Sequence, residues 1–291
     1  MKPAPFEYSR PASLDEACAL LKADDSARLI AGGQTLVPLM AMRLARPTRL
    51  IDIARLPGLA YIREQGGEIA IGAITKQHVV ESDPLVRAKL PLLAMAMPHV
   101  GHTATRARGT VGGSLANADS AAEIVLVAAT LGATLRWRDG GEARDIAAAD
   151  FFVGPMVTAL PQTACLVEAR FPVWSEPHVG VGFHEINARA SDFAFVSAGA
   201  QVALDAGDRC TRAAIGIGAA TAIPIRLDGV AQSLQGVRFE ESKVRDAVKA
   251  ALAGIEPLAD LHASAAFRRR VAVTLAVRAI GDAFQAAARR S

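Results

Sequence analysis

The sequence predicts an α+β chain built from three packed units, spanning residues 1–56, 57–176 and 177–291. Three observations predict it. Short apolar strands run into glycine turns and then into helical periodicity in the first part of the chain. Three longer strand patterns follow one another between residues 179 and 218, joined by turn residues, which reads as an antiparallel sheet. The C-terminal stretch, residues 262–290, is rich in Ala and Arg and has high helix propensity. With 291 residues, 51% of them hydrophobic, the chain can bury more than one core.

The elements follow in order. Ser13 precedes apolar Ala17, Leu20 and Leu21 and has Glu16 as its reciprocal partner, which reads as a capped amphipathic helix. Residues 27–31 read as a strand, Gly32 and Gly33 as a turn, and Leu36, Leu39, Met40 and Leu44 as the next helix. Residues 50–53 form a further strand, and residues 55–58 the turn that closes the first unit. The second unit opens with a hairpin of residues 59–63 and 68–72 about Gly66 and Gly67, a pair suited to positive φ. Thr75 is expected to cap the next helix, and proline-interrupted helical segments continue to Met97. A glycine loop at residues 109–114 follows. Ser120 and Glu123 then read as a capping box opening an apolar helix that ends at Gly132, before a second hairpin turns at Asp139, Gly140 and Gly141. A strand at residues 166–171 closes the unit. Residues 172–177 read as a linker, and residues 179–186, 193–204 and 209–218 as the strands of the third unit.

Composition removes several function classes. Lys and Arg number 32 against 29 acidic residues, and a net charge of +3 is too small to form an electrostatic footprint for nucleic acid. Aromatic residues make up 5%, too few to suggest stacking platforms for single strands. The longest apolar stretches, residues 124–135 and 213–225, fall short of the roughly 20 residues of a membrane span. No secretory signal opens the chain, so a cytoplasmic location is expected. Cys18, Cys165 and Cys210 lie far apart and form neither a disulfide framework nor an iron–sulfur motif, so any iron–sulfur centre is expected on a partner. His99 and His102 have no third ligand in sight, and no metal is assigned.

Two glycine pairs carry the chemistry. Either alone reads as a tight turn. Together, each at the end of an apolar strand and each followed by small hydroxyl or amide side chains, they read as a phosphate cradle. Glycine lets the backbone approach an anion, and consecutive N–H groups supply donors. Glu123 keeps two readings, as the last residue of a capping box or as an acceptor for hydroxyls of a bound dinucleotide. No Gly-x-Gly-x-x-Gly fingerprint follows the first strand, and no P-loop lysine, Gly-x-Ser-x-Gly elbow or His-Glu-x-x-His is present.

Four segments in order, Ala31-Gly32-Gly33-Gln34-Thr35-Leu36, residues 71–75, residues 108–119 and Ser191-Asp192-Phe193-Ala194, closely resemble the FAD-binding subunits of molybdenum hydroxylases. Ser264-Ala265-Ala266-Phe267-Arg268 is similar to the start of that family's C-terminal helix. The resemblance implies a fold of the vanillyl-alcohol-oxidase type, with FAD held between two α+β subdomains and covered by a domain of sheet and helices. It maps pyrophosphate and ribityl contacts onto Ala31, Gly32, Gly33, Gln34 and Thr35, and onto Thr110, Val111, Gly112, Gly113 and Ser114. Glu123 falls where the family carries Asp or Glu, while Val100, Leu166 and His184 fall near the flavin. Departures stand at Gln34, where His is common, Ala188, where a basic residue is frequent, and Ser191, where Gly is common. The Cys-rich insertion of one family branch is missing, which leaves FAD as the expected sole redox group.

The resemblance also implies partners: a large subunit with a molybdenum cofactor and a small iron–sulfur subunit, assembled as a dimer of heterotrimers. In that arrangement FAD receives electrons from the iron–sulfur clusters and delivers them to an external acceptor, and no catalytic side chain is required here. A free-standing flavoenzyme similar to the reductase of enolpyruvyl-glucosamine nucleotides would need a proton donor and a nucleotide-sugar site, neither of which is visible. A scaffold that has lost FAD is the third reading.

Overall fold

A computed structural model describes residues 1–289. Its first part holds β1 (Glu7–Ser9), α1 (Leu14–Ala23), β2 (Arg28–Ile30), α2 (Leu36–Ala41) and β3 (Arg49–Asp52), with a parallel sheet in the order β1-β3-β2. Ser13 caps α1 by accepting the Glu16 N–H at 3.1 Å, and Glu16 accepts the N–H of Ala12 rather than that of Ser13. The helix expected to reach Leu44 stops at Ala41, because Arg43 turns to φ 61° and leaves Leu44 exposed.

The second part holds β4 (Ile62–Gln65), β5 (Glu68–Gly72), α3 (Gln77–Ser82), α4 (Pro84–Lys89), α5 (Pro91–Ala96), α6 (Thr103–Arg108), α7 (Val111–Asn117) and α8 (Glu123–Leu131). β6 (Thr134–Asp139), β7 (Glu142–Ala147), α9 (Ala148–Phe151), β8 (Phe152–Gly154), β9 (Val157–Thr158) and β10 (Cys165–Pro172) follow. The sheet is antiparallel, ordered β4-β5-β10-β6-β7. Gly66 and Gly67 take φ of 60° and 80° in the first hairpin, and Gly132 takes 68° as the left-handed stop of α8. Two expected caps are corrected. Thr75 does not cap α3, whose N-cap is Lys76; its hydroxyl instead accepts from Tyr61 N–H and donates to Tyr61 O, both at 3.0 Å. Ser120 does not cap α8, whose N-cap is Ala122, because Asp119 takes over the turn by accepting the N–H of Ala121 at 2.9 Å.

The third part is an antiparallel sheet of β11 (His178–Ile186), β12 (Val196–Leu204), β13 (Cys210–Gly218) and β14 (Ile225–Arg226), with α10 (Asp228–Ser233), α11 (Glu241–Leu252) and α12 (Ala265–Ala288). β12 begins three residues later than expected, so Phe193 sits in the loop from β11 rather than in a strand. The final helix was expected to reach Arg290, which lies outside the described residues. α12 lies along β11 and β12, and glycines on the strand admit it closely: a Cβ at Gly180 or Gly182 would collide with the carbonyl of Ala283 or Ala279. Among the described residues α12 is the one helix long and apolar enough to cross a membrane. Here it buries Ala272, Ala276, Ala279, Ile280 and Ala283 in the core of its own sheet.

Candidate functional site

Residues of the first two parts line a cleft of about 800 Å3, within the size range of small-molecule sites. Its two glycine loops touch. A Cβ on Gly32 would lie 2.5 Å from Arg108 O and 2.8 Å from Gly109 Cα, so only a glycine lets the β2–α2 turn approach the α6–α7 turn this closely. Gly33 takes φ 71°, and Gln34 Nε2 donates to Gly32 O at 3.1 Å, which folds the first loop on itself. Among the described residues, the N–H groups of Gly32, Gly33, Gln34 and Thr35 reach no protein acceptor, and all four residues line the cleft beside Ala31. They form a run of free donors suited to an anion.

The second loop differs from the expectation of a matching cradle. From Val111 onward its amides are already spent: Val111 N–H donates to Thr75 O, Gly112 N–H to Ala73 O, Gly113 N–H to Thr110 Oγ1 and Ser114 N–H to Thr110 O. Gly112 serves packing instead, since its Cβ would stand 2.5 Å from that of Ala73. Thr110, Gly112, Gly113 and Ser114 still line the cleft, whereas Val111 is fully buried and does not. Ser114 Oγ accepts from Gln77 Nε2 at 2.9 Å, which leaves its own proton free for a ligand. The Oε1 of that same Gln77 is buried without a partner, and Gln77 also lines the cleft. Gln77 carried no local signal in the sequence.

Glu123 stands in the cleft wall at the first turn of α8, 7% exposed, and its carboxyl is pushed up to about 7. Burial is the largest cause. Its own backbone N–H opposes this, the Glu185 charge adds to it and His99 opposes it. The capping-box reading of Glu123 fails because Ala122, not Ser120, is the N-cap of α8, and a buried carboxyl lining the cleft remains. Behind it, His99 Nδ1 lies 3.2 Å from Glu185 Oε1, and this contact raises the imidazole above its usual range.

A direct consequence is measurable on the chain by itself. With a folded pKa of about 7 against 4.5 unfolded, the folded state holds the extra proton between those values, so stability falls as pH rises through this window. Glu123→Gln is expected to remove up to about 3 kcal/mol of that fall, read as the difference between wild-type and variant urea midpoints at pH 5 and pH 8.

Of the remaining expected residues, Val100 and Leu166 line the cleft and supply apolar wall. Val100 is held by a feature the sequence did not betray: the buried Arg106 donates to the carbonyls of Val100 and Gly101 and pairs with Glu81 at 2.7 Å. His184 lies outside the cleft lining, with Nε2 2.7 Å from Asp282 of α12. The loop from β11 contributes Ser191, Asp192 and Phe193 to the rim, with Phe193 71% exposed. Ser191 takes φ 70°, the left-handed conformation that glycine adopts freely.

Residues 4–174 match the family described as the FAD binding domain in molybdopterin dehydrogenase, and residues 182–283 the CO dehydrogenase flavoprotein C-terminal domain. The chain belongs to the FAD-binding medium subunits of the molybdenum hydroxylases. It is 33% identical to the carbon monoxide dehydrogenase medium chain of Hydrogenophaga pseudoflava, over 98% of this chain and 99% of that one. It is 34% identical to the nicotine 6-hydroxylase medium subunit of Paenarthrobacter nicotinovorans, over 97% and 99%. Quinoline 2-oxidoreductase of Pseudomonas putida 86 contains a chain that superposes with a TM-score of 0.93 at 36% identity, covering 99% of each. FAD is thus the cofactor, and this medium subunit is a flavoprotein oxidoreductase component.

The cleft fits that cofactor on its own features: free amides for phosphate, an unpartnered Gln77 oxygen for a donor, and an apolar wall at Val100 and Leu166 for a ring system.

Proposed function

We propose that this subunit holds FAD in the cleft, takes electrons from iron–sulfur clusters of a small partner subunit and passes them to an external acceptor. The observation that carries the reading is the row of free N–H groups at Gly32, Gly33, Gln34 and Thr35, pressed against the Arg108–Gly109 backbone. These amides bind the diphosphate, Ser114 and Glu123 take ribityl hydroxyls, and Val100 and Leu166 shield the ring. Bound FAD supplies the redox chemistry, and the chain binds, orients and excludes water.

The chain is divided at residues 56 and 176 into two FAD-binding subdomains of the vanillyl-alcohol-oxidase type and a C-terminal domain. Its assembly is a dimer of heterotrimers with a large molybdenum-cofactor subunit and a small iron–sulfur subunit, in the cytoplasm. Relatives named as the medium subunit of nicotine 6-hydroxylase and the medium chains of carbon monoxide dehydrogenase and glyceraldehyde dehydrogenase support assembly with further subunits. The test is stopped-flow absorbance on the complex: substrate-derived electrons are expected to bleach the flavin after the iron–sulfur signal changes. A flavin that stays oxidised while the clusters are reduced sinks the electron route.

A further inference from the structure

Cys18 on α1 and Cys165 on β10 are 147 residues apart in sequence, yet their Sγ atoms meet at 3.7 Å, and both residues are fully buried. They sit directly behind the cleft. Leu21, one turn beyond Cys18, lines it, and so do Ala164 and Leu166 on either side of Cys165. The pair therefore joins the element that carries the free-amide loop's sheet to the strand that forms the opposite wall.

We propose that Cys18 and Cys165 are an oxidisable dithiol, a modification site at which peroxide closes a disulfide that staples the two walls of the FAD cleft together. The sulfurs are in van der Waals contact, and closing a disulfide requires them to move from 3.7 Å to the bonding distance of roughly 2 Å. Cys18 has the character of the attacking partner. The hydrogen bond shared by the thiols holds Cys18 below the usual thiol range and Cys165 above it. In the first step the Cys18 thiolate attacks peroxide, the O–O bond breaks, and hydroxide leaves a sulfenic acid on Cys18. In the second the Cys165 sulfur attacks Cys18, the S–O bond breaks, and water departs with the Cys165 proton. Two thiols are oxidised and one peroxide is reduced to two waters.

Access comes from the β6–β7 turn, which covers the pair: Cys18 Sγ lies 3.5 Å from Arg138 O. That turn is held to its neighbours by the partly exposed ion pairs Lys22–Asp139 at 2.8 Å and Arg138–Asp15 at 2.7 Å. The same turn is also held by the pairing of Arg138 with Cys165 in the β6–β10 ladder and by Thr163 Oγ1, which donates to Asp139 Oδ2 at 3.0 Å, so peroxide reaches the sulfurs only when this end of the sheet opens locally.

The experiment treats the full chain, loaded with FAD, with hydrogen peroxide and reads the intact mass and the thiol count in denaturant. The three thiols are expected to fall to one, with a loss of about 2 Da, while Cys210, buried elsewhere, stays free. Cys165→Ser is expected to abolish that loss. Three thiols still titrating after treatment overturn the proposal, and this readout does not depend on FAD. The staple also rests on the proposed cofactor site: the oxidised chain is expected to release FAD about 3-fold or more slowly, since the bond ties together α1 and β10, which both contribute residues to the cleft lining. A disulfide that forms without slowing release overturns the staple. Failure of the chain to take up FAD at all instead overturns the cofactor site and leaves the mass result standing.

Discussion

Gly32→Ala is expected to yield a folded chain that binds FAD about 100-fold more weakly, a loss of roughly 2.7 kcal/mol. The added methyl would sit 2.5 Å from Arg108 O and 2.8 Å from Gly109 Cα, and both obstacles are backbone. A side chain could rotate away; a backbone cannot, so the two loops must part. Parting them displaces the free amides of Gly33, Gln34 and Thr35 from the far wall, and amides that act as a set lose their value when one contact surface shifts. The core of the first sheet, around Ala17, Leu21, Ile51 and Ile53, is not touched by the substitution, so thermal unfolding of the FAD-free chain should remain cooperative. Titration of FAD into the variant by flavin fluorescence measures the loss. Gly254→Ala is the control, because a methyl there meets nothing within 4 Å. Unchanged affinity in Gly32→Ala removes the amide cradle as the cofactor's anchor.

Gly182→Val is expected to destabilise the chain by about 3 kcal/mol, or roughly 6–12 °C in Tm. The cause is geometric. α12 lies so close to β11 that the methyl positions at Gly180 and Gly182 are occupied by carbonyls of the helix itself, Ala283 and Ala279. On the helix, Ala276, Ala279 and Ala283 are fully buried in the same contact, so neither side has room to yield. A side chain at residue 182 would push α12 off its sheet and open the core that contains Val196, Ala198, Ile217 and Ile280. Urea unfolding followed by circular dichroism reads the effect, and a midpoint within error of the parent chain contradicts this packing argument. Because the cleft lining draws mainly on the first two sheets, FAD binding by the residual folded fraction is expected to survive.

Three local readings hold. The Ser13 cap, the positive φ at Gly66 and Gly67 and the stop at Gly132 depend on residues within one turn of each other, and their chemistry leaves few alternatives. Thr75 and Ser120 looked like caps by the same rules; a distant partner diverted the first, and the neighbouring Asp119 took over the turn of the second. The Thr75 hydroxyl meets the backbone of Tyr61, and the Ser120 carbonyl accepts the N–H of Ala219 from the third sheet at 2.7 Å. Phe193 read as strand because it is apolar, but pairing of β11 with β12 ends where Phe195 N–H reaches Ile186 O, which releases residues 187–194 to the cleft rim. Gln77 and Arg106 offered no pattern at all, since a buried polar residue declares itself only through the partners that surround it.

The sequence by itself determined that this chain carries two glycine turns able to meet an anion, an antiparallel sheet and a long small-residue helix, because backbone freedom at Gly and side-chain periodicity act over a few residues. Only the tertiary structure decided that the turns touch, that the first keeps its amides free while Ala73, Thr75 and Thr110 consume those of the second, and that Glu123 faces the cleft while His184 turns to Asp282. The physical reason is that each N–H and each lone pair is taken by whichever partner the folded chain brings within about 3 Å, and proximity between distant segments is not encoded at either one alone.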